Sequence, residues 1–303
     1  MQIEEGRIPF RGHETWFRSA GDGPGVPLLC LHGGPGSPHL GLTPLEQLGD
    51  ERRVVLYDQL GSGNSSKPSD PSLWTVELFL AELANVRDAL GLDRVHLLGH
   101  SWGGMLAQEY ALTQPDGLVS LVLSSTLSSA ALWREESLRL RAALPAEIRD
   151  PLDAHEAAGT TDDPEYEAAI FEFLHRHLCR LDPWPPIVEE VMRSINLEVY
   201  NTMWGPSEAH PTGVLAGWDV TSRLGEIQVP ALVLCGRYDE ATPLQAETIV
   251  QRLPEAELVV FEESAHMAAI EETERYLAAV RAFLARVDHV IGAHRRAGPD
   301  ALS

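Results

Sequence analysis

Short apolar runs bounded by glycine, proline or charge recur through the first 125 residues and again after residue 228. Pro27 to Leu31, Arg53 to Tyr57, Arg94 to Leu98 and Leu118 to Ser124 are such runs, as are Ala231 to Cys235 and Leu258 to Phe261. Each is too short for a helix and too continuous for a half-exposed strand, so each predicts a strand buried on both faces. Between them the period changes. Val76, Phe79, Leu80, Leu83 and Leu90 share one helical face, and so do Tyr276, Leu277, Val280, Phe283, Leu284 and Val287. This alternation predicts an α/β fold, with a mostly parallel sheet and helices on both faces.

One connection breaks the rhythm. From Ser124 to the next strand near Ala231 runs about a hundred residues, where such units usually need about 2–6 plus a helix. The segment holds Trp133, Trp184, Trp204 and Trp218, with helix-like stretches at Glu135 to Ala143, Glu165 to Leu178 and Ile187 to Tyr200. Between residues 128 and 222 it carries 17 Asp and Glu against 7 Arg, a net of −10. The expectation is a helical cap inserted over the carboxyl edge of the sheet, where open α/β sheets bind ligands. The chain then divides into 1–127 and 226–288 as two parts of one core, 128–225 as the cap, and 289–303 as a frayed tail.

Composition narrows the function. A net charge of −22, with Lys67 as the single lysine, excludes nucleic acid as a partner, because phosphate binding needs clustered cations. The acidic start lacks an apolar leader, and no run reaches the ~18 apolar residues of a membrane helix. A cytoplasmic protein with no membrane partner is expected. Cys30, Cys179 and Cys235 are odd in number and far apart, so they read as small buried hydrophobes rather than disulfide partners. Nothing marks an oligomer face.

The chemistry concentrates at Gly99-His100-Ser101-Trp102-Gly103, a G-x-S-x-G between the strand ending at Leu98 and an amphipathic helix through Leu106 and Tyr110. In α/β-hydrolases this pattern is a nucleophile elbow, whose small flanking residues permit the turn that lifts the serine hydroxyl above the sheet. His32-Gly33-Gly34-Pro35-Gly36 follows the first strong strand, where such folds place an oxyanion loop. Taken alone it reads equally as a Gly/Pro turn. As an oxyanion loop, its Gly34 N–H and the Trp102 N–H would be the donors. The chain order Ser, Asp, His then selects Asp239, just past the strand ending at Cys235, and His266, just past the strand ending at Phe261. His266 would take the Ser101 proton, and Asp239 would fix its tautomer. His100 reads as structural, with its side chain directed away from the serine. His175 and His177 do not face each other on a helix. No cluster has metal-ligand spacing and no dinucleotide or P-loop motif occurs, so neither metal nor cofactor is expected.

With these motifs the chain resembles the proline iminopeptidase family of serine α/β-hydrolases, especially its tricorn-interacting aminopeptidase branch. His32 to Gly36 is similar to the family's HGGPG, and Tyr57-Asp58-Gln59-Leu60-Gly61-Ser62-Gly63 to its YDQ-x-G-x-G. In the cap, Asp182-Pro183-Trp184-Pro185-Pro186 and Tyr200 to Glu208, which includes Trp204, look like family segments. Gly236 to Pro243 resembles G-x-Y-D-E-x-T-P. The resemblance implies that Glu208 from the cap and Glu240 beside the acid hold the substrate's free α-amino group, with Trp204 also in the substrate site. Two carboxylates converging on an ammonium would reward a free N-terminus and reject a blocked one. Ala209 stands where the family usually has phenylalanine, and Ser264-Ala265-His266-Met267-Ala268 departs from C-S-H-L-T.

The reading is a serine aminopeptidase that releases an N-terminal proline or hydrophobic residue from small peptides or aminoacyl amides. A neutral His266 (reference pKa ~6.5) and a protonated amine (~8) imply a near-neutral optimum. The alternatives are an amidase or esterase for one metabolite, and a non-catalytic receptor on the same fold.

Overall fold

The computed structural model describes residues 1–206 and 211–297. The chain opens on an antiparallel hairpin, β1 (Ile3–Phe10) with the first half of β2 (His13–Leu31), in register from Ile3↔Ala20 to Phe10↔His13. Apolar runs do not predict this hairpin, because β1 buries only Ile8 and Phe10 and leaves its other side chains exposed. β2 passes an irregular stretch at Pro24 and Gly25, and β3 (Arg52–Asp58) pairs with both its halves, Ala20↔Val54 and Leu28↔Val54.

From the second half of β2 onward the sheet is parallel. α1 (Val76–Ala89) leads to β4 (Val95–His100), α2 (Trp102–Leu112) to β5 (Leu118–Ser124), and the strand order is β2-β4-β5-β6-β7 with β6 (Ala231–Gly236) and β7 (Ala256–Phe261). Leu29↔Leu97, Leu98↔Val122 and Leu123↔Val233 fix the central register. Alternate residues go to opposite faces. Leu29, Leu31 and Leu97 pack with Phe79 and Leu83 of α1 and Leu106 of α2. Leu28, Cys30 and Leu98 pack on the other face with Tyr276, Val280 and Leu284. All three cysteines are buried and free, as the sequence suggested.

Between β5 and β6 the chain leaves the sheet. The two ends of this excursion are pinned together, with Ala130 N–H donating to Trp218 O and Val220 N–H to Ser128 O, both at 2.9 Å. Among the described residues it forms α3 (Ala130–Ala142), α4 (Ala146–Ala158), α5 (Pro164–His177), α6 (Pro186–Arg193) and α7 (Leu197–Met203). α4 falls outside the expected stretches, because Pro151 interrupts its pattern and it buries only Leu152. The stretch expected as one helix from Ile187 to Tyr200 is two. Asn196 separates them, its side chain capping α7 through Glu198 N–H at 3.1 Å.

After β6 come α8 (Pro243–Arg252), the short α9 (Ala268–Glu271) and α10 (Thr273–Ala297). Of the tail expected to fray at 289–303, residues 289–297 continue as helix and 298–303 lie outside the described residues. Asp288 is tied to the core, accepting from the Arg52 guanidinium at 3.0 Å with His96 Nε2 at 3.2 Å. No helix among the described residues is long and apolar enough to cross a membrane.

Candidate active site

The elbow at Ser101 is a place where backbone geometry and chemistry meet. Ser101 has φ 54°, the left-handed region that costs an ordinary residue energy and lifts its side chain off the end of β4. The turn is held from both sides, with Ser101 N–H donating to Ser124 O at 2.9 Å and Thr126 Oγ1 donating to Ser101 O at 2.7 Å. Gly103 shows why the motif needs glycine, since a Cβ there would sit 2.2 Å from Leu31 O. α2 therefore starts directly against the end of β2. The loop after β2 approaches the serine just as closely, and a Cβ on Gly33 would lie 3.0 Å from Ser101 Cβ.

Asp239 and His266 come from the ends of β6 and β7. Asp239 is buried after β6, and its Oδ1 accepts from His266 Nδ1 and from Ala241 N–H, each at 2.7 Å. With Nδ1 engaged, His266 turns Nε2 toward the space it lines with Ser101, where Glu240 Oε1 is 3.9 Å away. His100 is not directed away from this site. It packs edge-on against His266 with ring centroids 4.8 Å apart, and its Nε2 donates to His266 O at 3.0 Å. Burial, then the neighbouring His266, pushes its pKa down to about 4. It is thus a neutral strut that adds no charge beside His266.

These groups line one cavity of about 80 Å³ beneath the helical excursion. Ser101, His266 and Glu240 supply its polar wall, and Leu174, Val191 and Met192 of α5 and α6 supply apolar wall. Gly34 also lines it. Trp204 does not stand there. It is 4% exposed at the end of α7 and packs edge-on against Trp133, with centroids 5.5 Å apart, while Tyr200 from the same helix reaches the cavity. The sequence motif that contains both aromatics could not tell which one faces the ligand. Glu208 and Ala209 lie outside the described residues.

Sequence spacing also missed a cluster. His155 Nε2 lies 3.3 Å from Glu165 Oε2 and 3.9 Å from Asp163 Oδ1, close enough for three ligand atoms to converge. Each contact already has a local purpose. Asp163 caps α5 through Glu165 N–H, and His155 Nδ1 is engaged by Thr160 Oγ1 at 2.8 Å. These residues are not part of the Ser101 cavity.

A family model described as alpha/beta hydrolase fold matches residues 26–273. The proline iminopeptidase of Heyndrickxia coagulans is 44% identical over 285 residues, covering 94% of this chain and 97% of that one. The chain belongs to the proline iminopeptidase family of α/β-hydrolases. Among solved structures, the proline iminopeptidase of Mycobacterium smegmatis matches with a TM-score of 0.89 at 41% identity, covering 95% of this chain and all of that one. VinJ matches at 0.91 and 40% identity, covering 94% and 99%.

In this proline iminopeptidase family member the helical excursion is bound to the loops that carry Asp239 and His266. Glu240 N–H donates to His177 O at 3.1 Å, and Met267 N–H to Leu178 O at 3.0 Å. The His177 ring bonds Tyr238 O through Nδ1 at 2.8 Å. Burial lowers its pKa, which keeps it neutral. Glu136 of α3 accepts from Thr242 Oγ1 at 2.6 Å. The sequence set His177 aside because no helical neighbour could share its role. Its partners lie 61 residues away, across the interface with the acid loop.

Proposed function

We propose that this protein is a serine aminopeptidase releasing an N-terminal residue, with proline preferred, from small peptides or aminoacyl amides. Residues 128–225 act as the cap that closes over the site. Ser101 Oγ attacks the first carbonyl while His266 Nε2 accepts its proton. The Gly34 and Trp102 N–H groups stabilise the oxygen as it gains charge. As the carbon–nitrogen bond breaks, His266 protonates the leaving amine. Water then enters, gives a proton to His266 and releases the free amino acid, restoring Ser101. Asp239, bonded to Nδ1, holds the imidazole in the useful tautomer.

The observation that carries this reading is the convergence of Ser101, the Asp239-bound His266 and Glu240 on one small cavity. A carboxylate at that depth suits a protonated amine, and apolar walls suit a pyrrolidine ring. At about 80 Å³ the space fits one small residue rather than a long chain, well under the ~300–1,000 Å³ of drug-sized pockets. Glu208 is assigned to the same amine by resemblance. The relatives named proline iminopeptidase support the choice of proline.

The test is a panel of prolyl-, alanyl-, phenylalanyl- and N-acetyl-prolyl-arylamide, assayed with wild type, Ser101→Ala, Glu208→Gln and Glu240→Gln. Turnover confined to free-amine substrates, abolished by the serine change and impaired by either glutamate change, is the expected pattern. Equal turnover of the acetylated substrate would make the protein a general amidase or esterase instead.

A further inference from the structure

Gln59, on the loop after β3, touches both arms of the oxyanion hole although it lies 1% exposed and does not line the cavity. Its side-chain Oε1 accepts from the Trp102 indole N–H at 2.8 Å, and its Nε2 donates to His32 O at 3.1 Å. Its backbone N–H donates to His32 Nε2 at 2.9 Å. An imidazole that accepts at Nε2 carries its proton on Nδ1. That Nδ1–H donates to Gly33 O at 2.9 Å. Burial holds the His32 pKa down to about 4, so this tautomer persists through the working pH range.

The consequence is geometric. Gly33 O and Gly34 N–H belong to one planar peptide group, so fixing the carbonyl aims the N–H the opposite way. We propose that Gln59 is a positioning residue for catalysis, orienting the Gly34 N–H through His32 and the Trp102 backbone through its indole, so that both oxyanion donors share one support. Glu82 braces that support from below, accepting from Leu60 N–H at 2.9 Å. The proposal rests on Gly34 and Trp102 being the oxyanion donors. It ascribes to Gln59 an effect on the charged intermediate alone, with none on the bound substrate.

Gln59→Met keeps the volume and removes both side-chain bonds, while Trp102→Phe removes only the indole bond. Steady-state kinetics on prolyl-arylamide should show kcat lower by about 10–100-fold in Gln59→Met with KM within about twofold, below the ~10²–10³ of deleting a donor outright. A fluorophosphonate reports the same hole without reference to substrate. Ser101 Oγ bonds to phosphorus, the phosphorus–fluorine bond breaks with its electron pair leaving as fluoride, and the serine proton passes to His266. Its inactivation rate should fall by the same factor as kcat. Because both substitutions break one shared bond, the double variant should be no slower than the slower single one. Thermal melts confirm that each variant is folded, and Trp102→Phe carries the test if Gln59→Met is not.

A folded Gln59→Met with kcat and inactivation rate within about twofold of wild type overturns the proposal. So does a KM that rises as kcat falls, which would mean a deformed cavity, or additive losses in the double variant. Wild type that reacts with fluorophosphonate but not with prolyl-arylamide would refute the aminopeptidase reading instead, and the inactivation rates would still decide the role of Gln59.

Discussion

His266 can serve as a base because its Nδ1–H is fixed by Asp239 and its carbonyl is held by His100. Asn at position 239 could present its amide N–H to Nδ1 and leave the proton on Nε2, the nitrogen that must accept from serine. Asp239→Asn is therefore expected to lower kcat by roughly 10³–10⁴ with little change in KM, checked by steady-state kinetics on prolyl-arylamide. A loss under about tenfold would remove Asp239 from the triad. On the proposed reading Glu240 acts on binding rather than on proton transfer. Glu240→Gln swaps a charged hydrogen bond to the amine for a neutral one, worth about 1.5–3 kcal/mol, so KM should rise by roughly 10–150-fold. The same change should leave the inactivation rate by a fluorophosphonate, which carries no amine, unaltered, and an equal loss in both measurements would argue against amine recognition.

The elbow, the loop after β2 and the two loops after β6 and β7 put Ser101, Gly34, Asp239 and His266 at carboxyl ends of strands. Gly103→Ala tests how tightly these elements meet. Its methyl would overlap Leu31 O, and α2 must retreat from β2 to admit it. We expect a loss of about 1–3 kcal/mol, read as a lower midpoint in urea, together with a fall in kcat as the Trp102 N–H shifts with the helix. Unchanged stability would mean that the contact is slack. At this scale the sequence was informative where burial is two-sided. All six expected strands are present, because continuous runs such as Leu118 to Ser124 have few other uses. The hairpin of β1 with the start of β2 was invisible, since an edge strand that buries two side chains has no period strong enough to read. Ser101, Asp239 and His266 could be singled out because each closely follows a readable strand. Trp204 and His100 were misjudged for a common reason. Motif and spacing identify a segment, but which side of it faces a ligand depends on packing partners far away in the chain, Trp133 for one and His266 for the other.

Across the whole molecule, three buried groups around the site pull stability in opposite directions with pH. Burial lowers His32 and His100 from an ordinary 6.5 to about 4. The unfolded chain takes up these protons first as pH falls, so their contribution is complete above about 6.5 and lost toward 4. Burial raises Glu82 from 4.5 to about 7, against the hydrogen bonds from Thr15 and Leu60. Its folded form keeps the proton while the unfolded chain ionises, so its contribution is complete below 4.5 and lost as pH rises through 7. Glu82→Gln has no proton to lose. The difference in Tm between Glu82→Gln and wild type should therefore shift in favour of the variant from about pH 5 to about pH 8. A constant difference would show that Glu82 does not titrate in that window.

In the proposed mechanism Ser101 carries the first residue of the substrate as a covalent ester. Prolyl p-nitrophenyl ester acylates faster than water can deacylate, so the decisive measurement is the pre-steady-state release of nitrophenolate by a known amount of enzyme. A burst of one equivalent per active site is expected, absent in Ser101→Ala, with peptide mass mapping after acid quench showing one prolyl group on the peptide that contains Ser101. A burst that survives in Ser101→Ala, or an adduct on any other residue, would contradict it.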